Sequence, residues 1–333
     1  MAGRELRIHF TAADLERIRV SGTPDPMWEI VSSLHRLQTR DGYGVFDAWH
    51  RQIRLDLGRH HLDGLVRGIL LPLAPRAAYF PDFLTPTCGD IDAGTAVDAV
   101  VGTPTARIRR ELDLLGQARR LPGWAGDLAT GRSAARRGLG DALLRYHRVA
   151  VAPYWPQALS RIAVDRSLRG YHVLSGGLAA LFAGLSAHLA WHPPMLTVLN
   201  YPRDGDLYLD GRGLTLIPSY FSWGVPVALA DRELPPVLLY PALVAQPIAE
   251  PDRTEPLRGL IGATRVAILH AVAHGRTTTD LARLLSIAPA TASHHTAVLR
   301  RAGLISSQRE ANMMLHTVTP LGRALLTRTL ASA

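Results

Sequence analysis

The stretch from Pro289 to Ile305, reading PATASHHTAVLRRAGLI, constrains the fold of this chain more than any other segment. Small or apolar residues recur every three or four positions, which predicts a helix with one side packed inward. The inward positions are Ala292, His295 or Thr296, Leu299 and Ala302. The outward positions are Thr291, Ser293, His294 and Arg301. Short hydrogen-bonding and cationic groups suit base edges and phosphates, so we interpret this segment as the recognition helix of a winged helix-turn-helix.

The preceding residues predict the other helices of the motif. A first helix is indicated from Leu260 to Ala273, and the pair Thr277 and Asp280 has the spacing of a capping box that opens a second. Pro289 stands at a first helical position, although the expected N-cap, Ala288, has no side-chain acceptor. A helix-turn-helix motif needs two short helices joined by a tight turn, because the first helix holds the second in the major groove of DNA. The predicted helices have this arrangement.

The following residues predict the rest of the unit. Gly303 ends the helix, and two short strands are indicated at Leu304-Ile305 and Met313–Thr319. The hairpin between them, the wing, carries Arg309 and Asn312 near its tip. Thr319-Pro320 then begins a last helix.

Charge supports nucleic acid as the partner. Residues 258–333 contain nine arginines and only two acidic residues, hence +7 of the chain's net +9. We predict that Thr291, Ser293 and His294 read base edges. The backbone contacts are predicted at Thr278, Thr279, Arg300, Arg301, Arg309 and Asn312. All 37 basic side chains are arginine, which excludes a Walker-A lysine and a Schiff-base lysine.

The pattern SHHTAVLRRAGLI followed by HTVTPLGRALL resembles the ArsR/SmtB type of bacterial winged-helix repressor over roughly residues 260–330. The resemblance implies a dimeric repressor of double-stranded DNA that a ligand relieves, and it leaves the ligand open. The metal-sensing positions of that family are not matched, because Thr278–Ser286 has no cysteine and Leu321–Leu330 has neither histidine nor acid. The wing has Glu310-Ala311 where relatives carry glycine. We therefore expect no metal and no cofactor.

The long N-terminal part predicts an α+β fold. We expect residues 1–245 to form a regulatory or oligomerising domain, helical to about 190 and then a small antiparallel sheet over 195–245. Asp210-Gly211-Arg212-Gly213 is typical of a hairpin turn. Residues 246–257 are polar and rich in proline, as in a linker, and the winged helix-turn-helix occupies 258–333. The opening LRIHFTAADLERIRV is similar to the N-terminal regions of some winged-helix regulators from high-GC bacteria, which implies a regulatory or oligomerising role.

Several other features limit location and chemistry. The uncharged stretch Val173–Ala187 is interrupted by glycine and serine, which favours a buried helix over a membrane span. A single cysteine and the absence of a secretion signal predict a cytoplasmic protein. His188 and His192 have the spacing of two ligands on one helical face, but they have no acidic or cysteine neighbour, so core or capping histidines are favoured.

The aromatic residues beside prolines leave two interpretations open, a small-molecule pocket or core packing. The pocket candidates are Phe80, Phe83, Trp155, Phe221 and Trp223. The sequence lacks the G-x-S-x-G, G-x-G-x-x-G and H-E-x-x-H motifs, so we do not expect an enzyme. The main hypothesis is a cytoplasmic, homodimeric, sequence-specific repressor relieved by a small-molecule effector. The alternatives are an enzyme with the winged helix as a docking module, and a ligand-independent DNA-binding protein.

Overall fold

The chain consists of two compact units, Met1–Pro247 and Ile248–Ala333. The computed structural model describes residues 4–42, 44–77, 79–86, 91–242, 259–272, 275–310, 313–323 and 325. The predicted linker, 246–257, lies outside the described residues. The α+β class is confirmed.

Helices supply most of the first unit. Their bounds are α1 Ala12–Leu15, α2 Pro26–Gln38, α3 Asp47–Arg59, α4 Asp63–Leu65, α5 Leu71–Leu73, α6 Ala93–Val101, α7 Thr105–Ala118, α8 Trp124–Ala129, α9 Ser133–Ala150 and α10 Trp155–Leu185. A π-helical stretch, Val66–Leu70, joins α4 to α5. Asp25 caps α2, because its Oδ1 accepts hydrogen bonds from the backbone N–H groups of Met27 and Trp28 at 2.9 and 3.1 Å.

Eight strands lie in the described part of the first unit. Their bounds are β1 Glu5–His9, β2 Ile18–Val20, β3 Leu189–His192, β4 Met195–Leu199, β5 Gly205–Tyr208, β6 Leu214–Ser219, β7 Val227–Ala228 and β8 Val237–Pro241. They form two sheets, ordered β3-β4-β1-β5 and β2-β6-β8-β7. Strands β1 and β2 therefore each belong to a sheet whose other strands lie about two hundred residues later in the sequence, at 189–241.

The predicted single antiparallel sheet over 195–245 is wrong. In the first sheet β1 pairs parallel with β5, and in the second β6 pairs parallel with both β2 and β8. The reason is burial on both faces of the second sheet: Leu238 and Tyr240 pack into one apolar core, whereas Val237 and Leu239 pack into another. A continuous apolar run is typical of such a doubly covered parallel strand.

The predicted hairpin at Asp210–Gly213 is also wrong. The turn joins β5 to β6, which belong to different sheets. Its backbone still has the conformation of a tight turn, since Asp210, Gly211 and Gly213 have φ of +53°, +81° and +74°. The residues therefore predict the turn but not the partners of the strands on either side.

Helix α10 corrects the limits predicted for the uncharged stretch. The helix runs from Trp155 to Leu185 and contains non-helical backbone at Gly176 and Gly177. Beyond this kink, Leu181 and Phe182 are buried between the helix and the sheets, as a core helix requires. The residues after Leu185 do not continue the helix, and Leu189 begins β3. None of the described helices combines the length and apolar character needed to span a membrane.

The second unit has three helices and three strands with complete bounds. They are α11 Ala263–Ala271, β9 Arg276–Thr277, α12 Thr278–Leu284, α13 Pro289–Arg301, β10 Ile305–Glu310 and β11 Met313–Val318. The strands form an antiparallel sheet ordered β10-β11-β9. A separate apolar core, centred on Leu269, Leu281 and Leu299, holds the helices together. Residues 320–323 are again helical.

Candidate nucleic-acid interface

The start of α12 is fixed by its predicted capping box. The Thr277 hydroxyl accepts from the backbone N–H of Asp280 at 3.2 Å, and the Asp280 carboxylate accepts from the Thr277 hydroxyl at 2.8 Å. The hydrogen bonds that the Thr277 hydroxyl and backbone N–H donate to the Asp280 carboxylate lower the pKa of Asp280 below its ordinary value. The backbone N–H of Ile287 then bonds to the Ala282 carbonyl at 3.0 Å, which closes the turn toward α13.

Helix α13 begins and ends where the sequence predicts. Pro289 occupies the first turn, and Ala288, the N-cap, makes no side-chain hydrogen bond. At the other end Gly303 has φ of +71°, and the N–H of Leu304 bonds to the Leu299 carbonyl at 2.9 Å. This pattern closes a helix with a left-handed glycine.

The two sides of α13 differ as the periodicity predicts, with one exception. Ala292, Thr296 and Leu299 are buried, and the Thr296 hydroxyl is satisfied by the Ala292 carbonyl at 3.0 Å. Thr291, Ser293 and His294 are exposed. The exception is Ala302, which is exposed because the helix has already ended at Arg301. Three short polar side chains thus share the solvent side of this helix.

Cations flank that polar face. Arg300, Arg301 and Arg309 are exposed, and none of them forms an ion pair within the ranges that the structure describes. Asn312 lies outside the described residues. Guanidinium groups without a carboxylate partner are suited to phosphate oxygens, because no internal ion pair must be broken first.

The two threonines predicted at the start of α12 have different surroundings. Thr279 is exposed, whereas the Thr278 hydroxyl is hydrogen-bonded to Nε2 of His316 at 2.9 Å. His316 is buried, and its Nδ1 is 2.8 Å from the Ser307 hydroxyl. Burial and the charge of Arg300 lower the pKa of this imidazole, so the neutral ring connects α12 to both wing strands. Sequence reasoning missed His316, because only the pairing of β10 with β11 brings it to Ser307.

The wing is the hairpin of β10 and β11. Its register runs from Ile305 opposite Val318 to Glu310 opposite Met313. Strand β9 adds to β11 and places the start of α12 beside the hairpin. Helix α13, the start of α12 and the wing therefore belong to one packed unit.

The five aromatic candidates do not form one pocket. Phe83 and Phe221 are fully buried in the helical core, and Trp155 packs against the ring of His147 at 6.0 Å. Phe80, Phe221 and Trp223 line a cavity of about 20 Å³, which has room for little more than a water molecule. Core packing accounts for most of this set. Phe80 alone also lines a larger cleft.

His188 and His192, whose spacing suits metal ligands on one helical face, do not lie in a helix. His192 lies in β3, and His188 precedes that strand, so the helical premise for this pair is wrong. Across the part of the chain that the structure describes, no three histidine, cysteine, aspartate or glutamate residues group as a metal site would require.

Residues 263–308 match a family model described as a helix-turn-helix domain. The C-terminal unit contains a helix-turn-helix domain. The matched residues include α11, α12, α13 and most of β10. A helix-turn-helix domain indicates DNA-binding regulation. Neither the curated proteins nor the solved structures gave a match.

Proposed function

We propose that this chain is a sequence-specific, homodimeric transcriptional repressor that acts in the cytoplasm on double-stranded DNA. Helix α13 enters the major groove of a pseudo-palindromic operator, one helix for each half-site. The first unit is regulatory rather than catalytic.

The observation that carries the proposal is the free polar face of α13. Thr291, Ser293 and His294 are exposed, and none of these side chains makes a hydrogen bond to another described residue. By contrast, the hydroxyl of Thr296 on the inner side is satisfied within the domain. Groups left free on one helix, with unpaired arginines beside them, can bind a polar and anionic surface without breaking internal contacts.

The residues divide into two roles. Thr291, Ser293 and His294 are proposed to read base edges. The backbone of DNA is held by Arg300, Arg301, Arg309, Asn312, Thr279 and the helix start at Thr278. Because the Thr278 hydroxyl already bonds to His316, we assign the contribution of Thr278 to its backbone N–H at the start of α12.

Dimerisation is supported by an apolar stripe on α10. Val164, Tyr171 and Leu174 are exposed to 64, 65 and 89% and follow the spacing i, i+7, i+10, so they share one face of the helix. Large apolar side chains grouped on an exposed face are typical of association surfaces. In a dimer with two-fold symmetry both copies use the same surface, so the stripe of one copy can pack against the stripe of the other.

Selection of bound fragments from genomic DNA tests the function. We expect the full chain to enrich a small set of fragments that share an inverted repeat, with half-sites about one helical turn apart. His294→Ala is expected to change the base preferred at one position of each half-site, whereas the exposed control His60→Ala should leave the motif unchanged. Enrichment without a common motif contradicts sequence-specific binding, and uniform weakening by His294→Ala contradicts base reading.

A further inference from the structure

A cleft in the first unit is large enough for a small molecule. Its volume is about 360 Å³, within the range typical of ligand sites. Apolar side chains from separate segments line it: Leu6, Phe80, Leu207, Val225, Val227 and Leu229. The cleft lies entirely within the unit that carries β1 to β8.

Two buried polar atoms among the lining residues have no partner. Nε2 of His35 and the hydroxyl of Tyr79 are inaccessible to solvent and make no hydrogen bond within the described part of the chain. Buried polar groups are nearly always paired, so each unpaired atom points to a missing partner. The His35 ring also meets the Phe80 ring edge-on at 5.3 Å, which fixes its orientation beside the apolar wall.

The protonation state of His35 determines which hydrogen-bonding group a ligand must present to its Nε2. The Pro75 carbonyl opposes the fall in the pKa of His35 as a hydrogen-bond acceptor would, and Nε2 has no partner. We therefore assign the proton of the neutral ring to Nδ1 and the acceptor role to Nε2. Burial, with the charges of Arg76 and Arg36, lowers the pKa of His35 to about 3. The ring is therefore neutral at physiological pH, and Nε2 accepts a hydrogen bond from an O–H or N–H group.

The charged residues around the cleft are already paired or screened by solvent, so they do not favour a charged ligand. Asp206 is bound by Arg7 and His9 at 2.9 and 2.8 Å. The carboxylates of Asp82 and Asp204 accept backbone N–H groups at 2.7 and 2.9 Å. The lining arginines, Arg76, Arg203 and Arg232, are exposed, so solvent screens their charge.

We propose that this cleft binds a small, uncharged aromatic molecule that carries a hydroxyl or N–H group, of the phenol or aniline class, and that this group donates to Nε2 of His35. The aromatic ring lies against Phe80 and the valine side chains, and the Tyr79 hydroxyl bonds to a second polar group of the ligand. The ligand's action as the effector that relieves DNA binding rests on the proposed function; its binding to the cleft does not.

Fluorescence titration of the full chain with naphthol tests the proposal, with methoxynaphthalene as the matched probe that cannot donate. We expect naphthol to bind about tenfold more tightly, since the ether leaves Nε2 unpaired. His35→Phe should weaken naphthol about tenfold and abolish the difference between the two probes, whereas the exposed control His60→Phe should preserve it. If naphthol and methoxynaphthalene bind the wild-type chain with equal affinity, the proposal is overturned, and no variant is needed to show it.

Tyr79→Phe supplies a test that does not depend on the probe. Removal of a buried hydroxyl that lacks a partner should leave the Tm unchanged or raise it, because the unpaired group costs free energy. A lowered Tm would show that the hydroxyl already has a structural partner and would contradict the site. DNA retention measured on the same samples separates the two ideas: binding of naphthol without any effect on DNA supports the site and counts against its role as effector.

Discussion

At the scale of single residues, several polar side chains of the C-terminal unit are satisfied internally, whereas those on the outer face of α13 are free. Thr277, Thr278, Thr296 and His316 have partners within the unit. The side chains of the outer face of α13 do not. The sequence predicted this division on α13, because helical periodicity alone determines which side faces the core. It could not predict His316, whose partners come from a strand and a helix distant in sequence.

Arg301 is expected to bind a phosphate. Arg301→Ala should weaken binding to all DNA sequences alike and reduce the slope of log K against log salt by about 0.9, the contribution of one phosphate contact. Arg283→Ala removes the same charge from α12, where Arg283 lies 3.9 Å from Asp280, and serves as the control. Titrations at several salt concentrations measure both slopes; equal changes in the two variants would show that only net charge matters.

Glu29 links stability to pH through its burial. Its carboxylate accepts from the N–H groups of Tyr220 and Phe221 at 2.7 and 3.0 Å, yet burial raises its pKa from 4.5 to about 7. The folded state therefore binds this proton more tightly than the unfolded state, and its contribution to stability is lost as pH rises through that interval.

Glu29→Gln should remove this dependence. We expect the free energy of unfolding of the wild-type chain, measured relative to the variant, to fall by roughly 3 kcal/mol between pH 4.5 and 7. Denaturant unfolding at several pH values measures the difference. A constant difference across the interval would show that Glu29 titrates at its ordinary pKa.

At the scale of elements, the sequence predicted the helices and the wing of the C-terminal unit but not the pairing of the strands in the first unit. Pro289 opens α13 and Gly303 ends it, as the sequence predicts. These features depend on neighbouring residues. The partners of β1 and β2 depend instead on which apolar faces meet, which a local pattern does not contain. The short strands Ile18–Val20 and Arg276–Thr277 were missed for the same reason.

The turn between β5 and β6 is expected to be stabilised by Gly213. Its φ is +74°, and a Cβ there would lie 2.5 Å from the backbone carbonyl oxygen of Arg17. Its N–H also donates to Asp14 at 2.8 Å. Gly211 has a similar φ of +81° but open space around it, so it provides a matched control.

We expect Gly211→Ala to cost about 1 kcal/mol of unfolding free energy, because only the left-handed backbone is penalised. Gly213→Ala should cost about 3 kcal/mol, because the contact with Arg17 adds to that penalty. Chemical denaturation of both variants measures the gap. Similar costs would mean that the chain near Arg17 moves aside freely.

At the scale of the whole molecule, the apolar stripe of α10 predicts the oligomeric state. Leu174→Glu should convert the proposed dimer to a monomer and weaken binding to the proposed operator at least tenfold, because a buried carboxylate opposes association and one half-site then binds alone. Leu55, exposed to 57% on α3, gives the control Leu55→Glu, which should remain dimeric. Sedimentation velocity measures both variants. A wild-type monomer, or a dimer that survives Leu174→Glu, contradicts this surface.

The position of β1 and β2 within the two sheets also determines when the protein can fold during translation. Both strands leave the ribosome early, but Val237–Pro241, which β6 pairs with, is made more than two hundred residues later. A nascent chain that stalls before this point has unpaired strand edges and exposed apolar side chains, the surfaces that chaperones recognise. Synthesis of the first unit is thus almost complete before it can fold, and the unit with the helix-turn-helix domain emerges only afterwards.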